Sequence, residues 1–244
     1  MSNVPADLID TTFDVRTDAG GKDPDSHSAT LRRYHRLLWG KALPDGRMFE
    51  LDARLRHRSA LGDFWLSSDS ISHTYSYWTR PARLVEVVQD IPEPEMTAFY
   101  DLGCTVGAYT VFPFAAHVNG KWRQTINQAR GTRHRIRDRF DLTLECIRRH
   151  YEDDPGSPLA DVLENYRNFF DLFGSFDGYV SHFLLEDLIG DDGGVRFFLS
   201  FTGFENDPLP MRDVDEYREY MSRSMAFIRG RNARIDRWAR TKLA

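Results

Sequence analysis

Between Ile136 and Tyr151 the residues Ile136, Phe140, Leu144, Ile147 and Tyr151 recur at helical spacing and form one continuous apolar stripe. A stripe this regular has to be buried against other elements, so it predicts a helix over 133–151 that organises the C-terminal half. Asp154-Pro155-Gly156 ends that helix, and Ser157-Pro158 opens another with an N-cap residue and a proline in the first turn. Leu159, Val162, Leu163, Tyr166, Phe169, Phe170 and Phe173 give this second helix a broad apolar face. A third helix carries Phe176, Tyr179, Val180, Phe183 and Leu184, and Gly190-Asp-Asp-Gly-Gly194 stops it. One strand is expected at Val195–Phe201. A long terminal helix follows from about Val214, with Gly230 as a place where it breaks or kinks.

The N-terminal half reads differently. Ser28 is placed to cap a helix on which Leu31, Tyr34 and Leu38 share a face. Leu43-Pro-Asp-Gly46 is turn chemistry leading into a strand at Arg47–Leu51. Further strands are expected at Thr12–Arg16, Asp63–Ser67 and Arg83–Val88. The run Met96–Pro113, rich in aromatic and β-branched residues, predicts two strands bent at Gly103–Gly107. The expected fold is therefore α+β, a strand-rich and mostly antiparallel N-terminal half packed on a helical C-terminal half. Residues 1–244 are expected to form a single compact domain, mixed over 28–115 and mainly helical over 132–244.

Charge is unevenly distributed along the 244 residues, whose formal net charge is −5. Lys121–His150 holds nine Lys/Arg against three acids, whereas residues 151–222 hold 17 acids against 4 bases. Blocks of this kind either neutralise one another within a fold or face partners of opposite charge. No apolar run approaches the roughly 18 residues that span a bilayer. The segment MSNVPADLIDTTFDVRTD is acidic where a signal peptide is basic and then apolar, so a cytoplasmic location without membrane association is the expectation. Cys104 and Cys146 stand far apart with no Cys-x-x-Cys pair, so they read as reduced, buried thiols and not as metal or redox ligands.

Most chemical templates are absent. There is no Gly-x-Ser-x-Gly elbow, no phosphate-binding Gly-x4-Gly-Lys and no His-Glu-x-x-His. Asp101-Leu-Gly-Cys-Thr-Val-Gly107 is similar to the glycine-rich motif of S-adenosylmethionine-dependent methyltransferases. However, Thr105 replaces its central glycine, and no acidic residue follows within 118–137 to hold a ribose. Asp23-Pro-Asp25-Ser-His27 offers hard oxygen ligands and an imidazole, but it reads more simply as an Asx-type turn. Ser67–Tyr75 is dense in hydroxyls, which fits side chains bonding the backbone after a strand.

The basic segment carries the strongest functional expectation. Lys121, Trp122, Arg123, Asn127, Gln128 and Arg130 combine aromatic, amide and guanidinium groups, a set suited to stacking on bases and gripping phosphate. Arg139, Thr143, Cys146 and His150 run beside the apolar stripe at helical spacing, so Arg139 joins the anion-binding candidates. If the protein is an enzyme, an acid or base is expected from His150, His73, His35 or His134. The expected partner is RNA or a nucleotide. Three alternatives stay open: a non-catalytic interaction module, including one that pairs with its own copy, an S-adenosylmethionine-dependent methyltransferase with its cofactor near Gly103, and an arginine-rich helix neutralised by its own acids. No metal-ligating residues are singled out, and the cofactor is left open.

The motif Asp138–Tyr151, DRFDLTLECIRRHY, is preceded by TINQARG and followed by SPL and NFFDLF. With DPDSHSATLRRYHRLLWGKALPDG near the N-terminus, it resembles an uncharacterised bacterial and phage protein family over most of the chain. The resemblance brings no activity or catalytic set, and phage occurrence associates it with host–phage conflict.

Overall fold

The computed structural model describes residues 9–72, 82–114, 117–118, 121–122, 124–205, 211 and 213–242. A short helix α1 (Pro24–His27) leads directly into α2 (Ala29–Trp39). Ser28 sits between them, and its hydroxyl accepts from the Leu31 amide at 3.0 Å as the N-cap of α2. The same hydroxyl donates to Asp18, whose second oxygen accepts from the Thr30 amide at 2.8 Å. These bonds fix where α1 ends and α2 begins.

Strands β1 (Arg56–Ser59) and β2 (Gly62–Ser70) form an antiparallel hairpin that pairs Arg56 with Trp65. Helices α3 (Ala82–Gln89) and α4 (Glu93–Gly103) come next, then a 3₁₀ turn at Val106–Ala108 and strand β3 (Tyr109–Pro113). Strand β3 pairs antiparallel with the far end of β2, Ser68 facing Val111 and Asp69 facing Thr110. The three-stranded order is β1-β2-β3, so β2 is central. A two-stranded ribbon, β4 (His117–Val118) and β5 (Lys121–Trp122), precedes α5 (Ile126–Thr132).

The second half is mostly helical: α6 (Phe140–Tyr151), α7 (Ala160–Glu164), α8 (Arg167–Phe170), α9 (Phe176–His182) and the 29-residue α10 (Val214–Lys242). Every member of the predicted α6 stripe from Ile136 to Ile147 is fully buried. Phe169, Phe173, Tyr179 and Phe183 pack with ring centroids about 5 Å apart, and Phe49 from the first half lies 5.8 Å from Phe173. The two halves thus share one apolar cluster, and each buried ring contributes about 2 kcal/mol.

Several expected elements differ, for identifiable reasons. Thr12–Arg16 forms turns, and Arg47–Leu51 contributes a single bridge between Met48 and Ala42. Arg83–Val88 lies inside α3, and Met96–Gly103 inside α4. Pro92 caps α4, with Pro94, Glu93 and Glu95 in its first turn; proline and acids there favour helix over the strand suggested by composition. The helix expected over 133–151 starts only at Phe140, because Arg137 and Asp138 take positive φ (51° and 60°). Ile126–Thr132 is helical, opened by a capping box between Thr125 and Gln128. The segment after Pro158 breaks into α7, α8 and a 3₁₀ turn, and Val195 makes one bridge to Ile189 in place of a strand. Helix α10 runs unbroken through Gly230.

Candidate functional site: a cleft over the centre of β2

Helix α1 lies against the Ser67–Ser70 end of β2, and between them opens a cleft of about 350 Å³. Its floor is built by a directed chain of hydrogen bonds. The indole nitrogen of Trp39 donates to His35 Nδ1 at 3.0 Å. An indole N–H can only donate, so Nδ1 is the acceptor and the His35 proton resides on Nε2. That nitrogen lies 3.0 Å from Ser68 Oγ, which therefore accepts from it and donates its own hydrogen to Asp25 Oδ1 at 2.8 Å. His35 is fully buried, and burial first, then the nearby Arg231, pushes its pKa down to about 3. It stays neutral.

This polarity differs from that of a nucleophilic triad. In a triad the imidazole takes the hydroxyl proton, whereas here it supplies one to the hydroxyl. Asp25 terminates the chain. Its second oxygen, Oδ2, has no hydrogen-bond partner among the described residues, and Asp25 lines the cleft. Burial, the neighbouring Asp69 and more weakly Asp23 push its pKa up to about 7, against the lowering effects of Ser68 and Arg130.

Behind Ser68, the carboxylate of Asp69 pairs with the fully buried guanidinium of Arg130. Arg130 also bonds Thr143 Oγ1 at 2.9 Å and lies 3.6 Å from Asp138. Asn127 donates to the Ser68 carbonyl at 3.1 Å. Helix α5 thus anchors the back of β2. Burial first raises Asp69 to about 6, against the opposing pull of Arg130.

The rim has a different chemistry. Arg32, Arg54, Trp65 and Phe114 line it, all exposed; Trp65 and Phe114 retain 39% and 45% of their surface. Arg32 Nη2 donates to the Ser26 carbonyl at 2.9 Å. The Arg54 guanidinium has no hydrogen-bond or ion-pair partner among the described residues. Arg56 covers the Trp65 ring at 5.0 Å.

Of the residues singled out in the sequence, His35, Asn127 and Arg130 converge behind this cleft. Gln128 is spent on the Thr125 capping box. Lys121 and Trp122 belong to the β4–β5 ribbon, while His73 and Arg123 lie outside the described residues. Arg139 is buried and paired with Asp141, with Nε to Oδ1 at 3.1 Å. His150 lies elsewhere, buried 5.2 Å from the Phe170 ring, with its pKa lowered by burial and then by Arg167. Much of the basic segment is matched internally: Arg133 to Asp161 at 2.6 Å, Arg148 to Glu145 at 2.8 Å and to Glu152 at 2.5 Å, and Arg149 to Glu145 at 2.8 Å.

The Asp101–Gly107 motif runs from the end of α4 through a 3₁₀ turn into β3. A cofactor-cradling loop requires the reverse order, strand then helix. Gly107 is instead needed for packing: a Cβ there would lie 2.9 Å from the Ile228 carbonyl on α10. Among the described residues no group of three or more His, Cys, Asp or Glu side chains forms a metal site, and no helix is long and apolar enough to cross a membrane.

Arg32, Arg54, Trp65, Phe114, Asp25 and Ser68 were not expected as a set. Asp25 and Ser68 each lie in segments whose polar density is visible in the sequence, but 43 positions separate them.

Fold and site together define an α+β protein with an acid-floored, arginine-rimmed cleft over its central strand. The chain belongs to a family of unknown function, DUF6994, whose model matches residues 9–235. No curated protein and no solved structure shows significant similarity to it.

Proposed function

We propose that the cleft over β2 binds a nucleotide unit. The observation that carries this reading is the convergence of three chemistries in one opening: exposed guanidinium groups at the rim, exposed aromatic rings beside them, and a carboxyl with an open oxygen on the floor. Arg54 and Arg32 suit a phosphate, because a guanidinium fork matches its oxygens. Trp65 and Phe114 suit the face of a base. A volume of about 350 Å³ falls in the range of small-ligand sites and admits one nucleotide rather than a duplex. Phosphate contacts expected of Arg130 and Arg139 pass in this reading to the rim arginines, since both of the former are closed off from solvent.

Titration calorimetry of the whole chain with adenosine, guanosine, cytidine and uridine monophosphates, and with a short single-stranded RNA, tests it. Saturable binding of a monophosphate that weakens with added salt, and that falls at least tenfold in Arg54→Ala, is the expected outcome. Binding of the RNA alone would move the site to a polymer end or loop. No heat with any of the five ligands would reject the reading.

A further inference from the structure

The floor of the cleft specifies more than a nucleotide. The bond chain from Trp39 through His35 and Ser68 occupies Asp25 Oδ1 and leaves Oδ2 without a partner among the described residues. Such an oxygen is an open acceptor, held in place because its neighbour is fixed by three bonds in series. Asp25 stands on the floor beside Ser68, while Arg32 and Arg54 are exposed cations of the rim. A carboxylate repels a phosphate, which disfavours Asp25 acting at the phosphate itself. In a nucleotide whose phosphate lies on the rim and whose base lies on the exposed rings, the group left to meet the floor carboxyl is a sugar hydroxyl.

Resting on the nucleotide reading, we infer that Asp25 Oδ2 accepts a hydrogen bond from a ribose hydroxyl, making the site selective for ribonucleotides over their deoxy counterparts. Ser68 and His35 act as positioning residues in this arrangement. They touch no ligand, but they set which Asp25 oxygen is available.

The test compares, by calorimetry at pH 8, the best-binding monophosphate of the panel with its 2′-deoxy and 2′,3′-dideoxy forms. A hydrogen bond to a charged acceptor predicts a ribose preference of about ten- to a hundredfold over the dideoxy form. In Asp25→Asn, which keeps the shape and places a donor at one of the two positions, that preference falls toward unity while the dideoxy affinity holds. Equal wild-type affinity for the three sugars would overturn the inference and leave the nucleotide reading standing. Absence of all binding would remove both. A preference undiminished in Asp25→Asn would assign the hydroxyl to another residue. Should that variant fail to fold, the three-sugar comparison on the unaltered chain still decides.

Discussion

Trp39 Nε1 donates to His35 Nδ1 at 3.0 Å, and this single bond sets the direction of every proton between α2 and the cleft. Because the indole cannot accept, His35 is held as the Nε2–H tautomer, and Ser68 is obliged to donate to Asp25. Replacing Trp39 by Phe removes the donor and trims a fully buried side chain. The expected cost is about 2–4 kcal/mol in urea unfolding, combining the lost hydrogen bond with the cavity. Long-range nitrogen–proton NMR should show pure Nε2–H His35 in the natural chain and a mixture in the variant. A natural chain with His35 protonated on Nδ1 would contradict the directed chain.

Asp25 makes stability depend on pH in an unusual direction. Its pKa, pushed up to about 7 by burial and by Asp69, exceeds its ordinary value of 3.8. The folded protein therefore holds this proton more tightly than the unfolded chain does, and stability falls as pH rises from about 4 to about 7. Asp69, raised to about 6 against the pull of Arg130, acts in the same direction. Asp25→Asn should thus stabilise the protein by on the order of 1 kcal/mol at pH 8, with the gain fading toward pH 4. Thermal unfolding across this range measures it. An Asn variant less stable than the parent at pH 8 would show that the carboxylate is favourably held.

Arg130 and Arg54 separate the structural arginines from those proposed to bind ligand. The Arg130 guanidinium has no exposure and neutralises Asp69. Arg130→Met leaves that carboxylate unpaired in the interior, with an expected loss of about 3–5 kcal/mol. Adding Asp69→Asn should restore much of it, since the double variant buries no lone charge. Arg54 is exposed and has no partner among the described residues, so Arg54→Ala should change stability by less than about 0.5 kcal/mol. Paired urea titrations of these variants distinguish the two roles.

The sequence announced what depends on local pattern. The α6 stripe, the Ser28 cap and the strand at Asp63–Ser67 all rest on residues a few positions apart, and local pattern reports those faithfully. Composition misled at Met96–Gly103, where aromatic and β-branched residues argued for strand while two prolines and two acids started a helix. The left-handed pair Arg137–Asp138 has no glycine to mark it, so the late start of α6 had no signal. His35 stood out as a histidine, but its role depends on Trp39 one turn along and on Ser68, 33 residues away. Arg130 was legible as a cation and not as a buried one, because its partner Asp69 lies 61 positions upstream. A basic segment looks the same in sequence whether its charge meets solvent or a distant acid.

Gly107 offers the most direct test of how α10 is seated. Its amide donates to Asn232 Oδ1 at 2.8 Å, and Arg231 beside it donates to the Gly107 and Tyr109 carbonyls at 3.0 and 2.7 Å. A Cβ at position 107 would meet Asn232 Cγ at 2.7 Å and the Ile228 carbonyl at 2.9 Å, both closer than real contacts allow. The Asn232 side chain can swing aside, but the helix backbone at Ile228 cannot. Gly107→Ala is therefore expected to push α10 away from β3 and cost about 2–4 kcal/mol, the range for overpacking with loss of buried bonds. Asn232→Ala in the same background should recover only part of that loss, because the backbone clash persists. Full recovery would place the whole conflict in the Asn232 side chain, and an unchanged midpoint for Gly107→Ala would mean that α10 sits less tightly on the turn than this contact implies.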